Sequence, residues 1–564
     1  MLDPVELADG RDPDGADPAA GPGTAVGALA AVDHHGRPGR RWCGRCRPTS
    51  RGAGAARCCA IPRWTSGSGG AAARPACRRG TSTVTRPGCG STGPPGSASW
   101  WSRSAGATPG RGSRPSSRRP TRCDDRPEPG ARSPEPGARS PALPGSRSLD
   151  WGLVSGTRHY LDHAATTAVR PEAAAAYAEE LTRVGNPSSL HAAGRDARRR
   201  LEEAREQLAA ALDAEPAEVI FTSGGTEADN LAVKGAYWAR RAATPERVRL
   251  AVSAVEHHAV LEAAGWLAAH EGAVLDLLPV GADGVLDVPA LQAHLDAHGR
   301  ATAVVSVMWA NNETGAAQPV ERVVALAHAA GVPVHTDAVQ AVGHVPVRFG
   351  ASGVDALSLS GHKLGAPVGV GALLARRELG LSPVEHGGGQ ERGVRSGTLA
   401  VAGARALAAA VSAAVAEQEA EADRLRGLRD RLVAAALAMP GVTLSGPPIT
   451  SSGPDEARLP GTAHLTIEGA DADALLFGLD MAGIAASSGS ACQAGVQEAS
   501  HVLVAMGCSA EQARSALRFS LGWTSTAADV DAVAAALPGV VEQARRAHAT
   551  RRPRPTTTTT RSVS

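Results

Sequence analysis

The sequence predicts an α/β fold, a mostly parallel sheet covered by helices, and two observations carry that reading. From about residue 160 to 547, short β-branched runs alternate with alanine-rich stretches of helical period. That is the rhythm of β-α-β units. The runs are also apolar along their whole length, as in strands covered by helices on both faces. In chain order, residues 195–212 read as an amphipathic helix. Residues 219–222, 250–253, 304–308, 332–336 and 356–359 read as strands. In sheets of this kind ligands sit beyond the carboxyl ends of the strands, so the residues after each run are candidate site lining.

Residues 1–157 differ in kind. They are rich in Arg, Gly, Pro and Ser, carry no acidic residue from His34 to Cys123, and contain a tandem EPGARSP repeat at 128–134 and 135–141. Such a segment buries too little apolar surface to offset its chain entropy. It reads as a disordered extension, and its scatter of Cys and Trp also suits an upstream stretch that is not native protein. The net charge of +2 hides a basic excess in this extension. No interleaved aromatic pattern accompanies the arginines, so specific nucleic-acid binding is not expected. Seven of the nine cysteines lie there, leaving Cys492 and Cys508 in the globular part. Cys43 and Cys46 have zinc-knuckle spacing but no second pair at a usable distance, so no metal site is expected. No run has the length of a membrane span. Together with free thiols this points to the cytoplasm.

Only two lysines occur in 564 residues, Lys234 and Lys363. Lys234 reads as a solvated side chain. Lys363 closes Ser360-Gly-His-Lys363 directly after the apolar run at 354–359. An amine can lose its proton when buried and form a Schiff base with a carbonyl or with pyridoxal phosphate; a guanidinium cannot. After 219–222 comes Ser223-Gly-Gly-Thr226, a glycine-rich turn opening a helix, where free N–H groups make a phosphate cradle. After 332–336 comes Asp337, which either caps a turn or holds a pyridine nitrogen protonated. The interval to Lys363 leaves room for one crossover and one strand, so both can meet one ring.

Further segments follow in order: Tyr160-Leu-Asp-His163, Gly185-Asn-Pro-Ser188, Glu256-His-His258, Asn311-Asn-Glu-Thr314, Asp337-Ala-Val-Gln340, His386-Gly-Gly-Gly-Gln-Glu-Arg392, Arg395-Ser-Gly-Thr398, Ser487-Ser-Gly-Ser-Ala-Cys492 and Arg518-Phe-Ser-Leu-Gly522. In these the chain resembles the pyridoxal-phosphate-dependent cysteine desulfurases of the NifS/IscS type, within the class V aminotransferase fold. The resemblance implies a type I transferase fold. Its large domain, 158–414, would hold a mostly parallel seven-stranded sheet, with its first residues joining a smaller α+β domain at 415–548; a tail would occupy 549–564.

It also implies roles. Lys363 would be the Schiff-base lysine, and Asp337 would pair with the pyridine nitrogen. Gly225, Thr226, Ser360 and His362 would hold the phosphate, with Thr398 reaching across from a second subunit of a homodimer. His257 would stack on the ring and help proton transfer, and Asn312 and Gln340 would bond near its phenolic oxygen. Asn186 and Arg518 would bind the substrate carboxylate. Cys492, in a small-residue stretch that reads as a mobile loop, would attack the sulfur of L-cysteine and keep it as a persulfide. Any iron–sulfur contact would run through Cys492 alone. The acceptor would be an iron–sulfur scaffold or a tRNA-thiolation protein. Selenocysteine lyase, another class V aminotransferase and a catalytically idle scaffold are the alternatives. Cys508 reads as a packed small residue.

Overall fold

A computed structural model of the chain describes residues 158–449, 457–489 and 499–551. The extension at 1–157, the tail beyond 551 and Cys492 lie outside these residues. The described chain enters through β1 (His159–Tyr160) and then builds seven strands of one sheet. These are β2 (Val219–Thr222), β3 (Arg249–Ser253), β4 (Val274–Leu278), β5 (Thr302–Ser306), β6 (Val334–Asp337), β7 (Ala356–Ser360) and β8 (Gly371–Ala375), in the spatial order β2-β8-β7-β6-β5-β3-β4. All pairings are parallel except those of β8, which runs against both β2 and β7.

The five strands expected from the sequence are present, β2 with the expected bounds and the other four with shifted ends. β6 begins at Val334 because Pro333 has no N–H for the ladder. β5, β6, β7 and β8 are buried along their whole length, and in the first three that pattern was legible in the sequence. The expected helix at 195–212 is Ala192–Ala211, capped by the His191 ring, whose Nδ1 accepts from the Gly194 N–H at 3.3 Å.

The second sheet is antiparallel, β9 (Val442–Leu444) and β12 (Ala516–Ser520) flanking β10 (Thr462–Ile467), while β1 pairs in parallel with β11 (Ile484–Ala485). Leu161, just after β1, therefore belongs to the smaller core with Leu465, Phe519 and Val533. The larger core gathers Leu208, Val305, Leu357 and Val411. One helix, Val401–Leu437, serves both: Leu407, Val411 and Ala414 face the first core, Leu425 and Leu432 the second. The boundary expected between 414 and 415 falls inside it. The closing helix, Ala527–Arg551, runs past the expected end at 548. No helix among the described residues is long and apolar enough to cross a membrane.

Gly371 shows how tightly β8 is wedged against the site. A Cβ there would lie 2.7 Å from the Gly224 Cα and 2.7 Å from the Leu359 carbonyl oxygen. Both are backbone atoms that cannot turn aside. Gly371→Ala is expected to lower stability by about 1–3 kcal/mol, read as an earlier urea midpoint with unchanged slope.

Candidate active site

The carboxyl ends of the strands open onto one cavity of about 510 Å³. Its lining includes Ser223–Thr226 after β2, His257 after β3, Asn312 after β5, Asp337 and Gln340 at the end of β6, Ser360, His362 and Lys363 after β7, and Arg518 from β12. Nine of the sequence-predicted residues thus come together with Lys363. Two do not. Thr398 is exposed and absent from the lining. Asn186 is exposed as well, and its side-chain oxygen accepts from the Ser188 N–H at 2.9 Å, closing its own turn. Cys492 lies outside the described residues. Ser487 and Gly489 before it line the cavity, and Ser500 after it donates to the buried Glu313 at 2.5 Å.

The Lys363 amine donates to the carbonyls of Ala164 and, at 2.7 Å, Ala165. Burial and the nearby Arg518 guanidinium push its pKa down to about 8, opposed by Asp162 and Asp337. Gln340 donates to the same Ala164 carbonyl at 2.9 Å. Asp337 is buried, and burial lifts its carboxyl to about 6 although it accepts from the Val339 N–H at 2.9 Å and faces Lys363. A cation against its second oxygen would bring it back down. His257 caps the helix His258–Glu271, its Nδ1 accepting from the Ala259 N–H at 3.1 Å. That bond puts the neutral ring's proton on Nε2. Burial, then the charge of Lys363, holds His257 at about 4, so it is neutral at pH 7. His362 is depressed to about 4 by the same two causes, and its Nδ1 lies 3.3 Å from Thr166 Oγ1.

The fit to pyridoxal phosphate can be tested on these residues. The helix Gly225–Ala243 begins at the glycine turn, so its first N–H groups are free for phosphate oxygens. A Cβ at Gly225 would come within 2.9 Å of Val339 Cγ2, so glycine keeps that cradle open. Asp337 is a buried carboxylate suited to a protonated pyridine nitrogen. Arg518 donates to the Asn312 carbonyl and to Asp162, each at 2.8 Å, and retains a buried Nε–H without an acceptor. The residues fit both the group and an anionic substrate.

Sequence reasoning passed over Asp162, which orients Arg518 and offsets the loss of charge on Lys363; its place in Tyr160-Leu-Asp-His163 was the available signal. It also passed over Asp229 and Glu256, fully buried carboxyls whose pKa values burial and then Asp337 raise. Lys234 sits with its ammonium 4.8 Å from the Trp266 ring centre. Cys508 is half-buried, and burial raises its thiol. Among the described residues no cluster of His, Cys, Asp and Glu could hold a metal.

The class V aminotransferase family model matches residues 159–533. The chain is 54% identical over 389 residues to a protein named IscS-like cysteine desulfurase from Mycobacterium tuberculosis, across 69% of this chain and 97% of that relative. It is 42% identical over 389 residues to cysteine desulfurase NifS from Azotobacter vinelandii, across 68% and 93%. Among solved structures, a NifS-like protein from Rickettsia africae superposes with a TM-score of 0.60 at 30% identity, over 68% of this chain and all of that one.

The lowered pKa of Lys363 has a sign that can be measured without any ligand. Between about 8 and the unperturbed 10.5, the unfolded chain binds the proton and the folded one does not, so this group's unfavourable contribution fades as pH rises. The unliganded protein is expected to gain stability relative to Lys363→Met across that window; parallel stability–pH curves for the two would refute the assignment.

Proposed function

The chain belongs to the class V aminotransferase family, in its NifS/IscS-type, pyridoxal-phosphate-dependent branch, and we propose that it is a cysteine desulfurase that releases alanine from L-cysteine and keeps the sulfur on Cys492. The observation that carries the proposal is the half-buried, two-carbonyl-held amine of Lys363, in a cavity whose lining also contains Asp337 and Arg518.

Pyridoxal phosphate, when bound, supplies an electron sink for the substrate's Cα and Cβ. Lys363 would carry it, Asp337 would hold its pyridine nitrogen, and Gly225, Thr226, Ser360 and His362 would hold its phosphate. Asn312 and Gln340 would bond near the phenolic oxygen, and His257 would cover the ring. Arg518 would take the substrate carboxylate as a charge-assisted fork with the donors that Asp162 and Asn312 leave over. Asn186 would have to leave its own turn, or reach another subunit, to share that task.

With a pKa near 8, the Lys363 amine is close to the pH at which a base works best. Once the substrate's amine has taken its place, the freed Lys363 amine can take the proton from Cα and return one to the departing alanine. Neutral His257, with its proton on Nε2, can shuttle a second proton. The Cys492 thiolate would attack the substrate sulfur; the new S–S bond forms as the Cβ–S bond breaks, and that electron pair returns to the carbon. Cys492 is the third residue after Gly489, which lines the cavity, so an extended chain spans at most about 10 Å between them. The persulfide would pass to an iron–sulfur scaffold or a tRNA-thiolation protein in the cytoplasm, and the working unit would be a homodimer in which Thr398 completes the partner's phosphate site.

Sulfide and alanine release from L-cysteine with a reductant tests this. Lys363→Ala is expected to lose at least about 100-fold in turnover, the scale of a lost general base. Cys492→Ser is expected to lose desulfuration while keeping the cofactor's absorbance. Full activity in Cys492→Ser would move the chain to another reaction of the same family.

A further inference from the structure

The segment between β8 and the helix Val401–Leu437 contains consecutive non-glycine residues in the left-handed region, Glu391 at φ 42° and Arg392 at φ 61°. Side chains rarely adopt that backbone unless their surroundings impose it. The imposing contact is visible. The Glu391 carboxylate is buried; Oε1 accepts from Arg205 Nη2 at 2.6 Å, and Oε2 accepts from Arg205 Nη1 and from the Phe221 N–H, each at 2.9 Å. Arg205 Nη1 also donates to the Val219 carbonyl at 2.7 Å. The strained turn is thus tied to β2, the strand that runs into the phosphate cradle. Two further ties follow it. The Gln390 side-chain oxygen accepts from the Gly397 N–H at 2.9 Å, and Arg395 Nε donates to Glu227 at 2.8 Å, beside Thr226. At the end of this braced segment stands Thr398, exposed and outside its own cavity.

We propose that Glu391 is a positioning residue acting across the subunit boundary: its buried carboxylate fixes the strained turn, and the turn holds Thr398 at the height and angle the partner's phosphate site requires. The inference rests on the reading that Thr398 serves the partner. The same carboxylate couples the loop to β2, the strand that runs into the cradle. The amide of Glu391→Gln has the same shape but turns an NH₂ toward the Arg205 or Phe221 donors, so the turn loosens without a cavity being created.

Mixed dimers separate this role from plain folding. Two tagged full-length chains are combined so that one carries Lys363→Ala and only the other chain's lysine holds the cofactor; the rate at which the cofactor's absorbance is lost from that intact site is then followed. Glu391→Gln on the Lys363→Ala chain is expected to speed release about tenfold, the scale of one lost charge-assisted hydrogen bond. On the chain with the intact lysine, where the same carboxylate reaches its own cradle only through β2, it is expected to speed release by clearly less. An effect of Glu391→Gln within its own chain at least as large as the cross-subunit one, or no effect in either arrangement, overturns the proposal. Thr398→Ala is run in both arrangements beside it. A cross-subunit effect of Thr398→Ala alone overturns the role of Glu391 and leaves Thr398 standing; no cross-subunit effect from either removes the underlying reading too. Should Glu391→Gln fail to fold, Arg205→Lys, which keeps the charge and loses the fork, is expected to give the same pattern.

Discussion

The rest of the site depends on one half-buried amine and the carbonyls that hold it. Lys363 comes from the turn after β7, but its acceptors, Ala164 and Ala165, come from the first described segment, which β1 ties to β11 and Leu161 to the smaller core. Desolvating an ammonium is costly unless polar groups meet it. Two carbonyls, with Asp337 and Asp162 near, stabilise the charged form only in part, while Arg518 opposes it. The balance leaves an amine that is still protonated at neutral pH and gives up its proton far more readily than one in water. Each component of that balance comes from a different stretch of chain, so the lysine reports on whether the two cores are correctly assembled.

The buried carboxyls behind the cavity extend the same logic. Asp229 and Glu256 are sealed from solvent beside Asp337 and are pushed toward their neutral forms. Three negative charges in one dry wall would repel strongly, so the wall can carry one and protonate the others. Asp337, which has a backbone N–H and a nearby ammonium, is best placed to be the charged member.

Much of this was legible in the sequence because the inner strands are apolar throughout and because a scarce residue type marks the reactive position. Lys363, Asp337 and the glycine turn follow strands that periodicity identifies, so their convergence follows from sheet geometry. Two strands of the large sheet were not legible, and none of those outside it was. β4 lies at the sheet's edge, with Val274 and Leu277 exposed and Asp276 bonded to Arg249, so it shows no continuous apolar run. β8 is apolar, but its reversed direction depends on pairing partners far away in sequence. The Asp162–Arg518 pair joins residues 356 positions apart, and no local pattern announces it. Nor does a motif fix where its residue ends up: Asn186 and Thr398 sit in conspicuous motifs yet stand outside the cavity.

The helix Val401–Leu437 crosses from one core to the other without a break, and at 1.5 Å per residue its 37 residues form a shaft of roughly 55 Å. An enzyme whose two units hinge like jaws needs a pliable joint between them; here the joint is spanned by a continuous rod with apolar anchors at both ends. Large-scale closing would have to bend that rod or tear out one set of anchors. A molecule strutted in this way yields more readily to small local rearrangements than to one unit closing on the other.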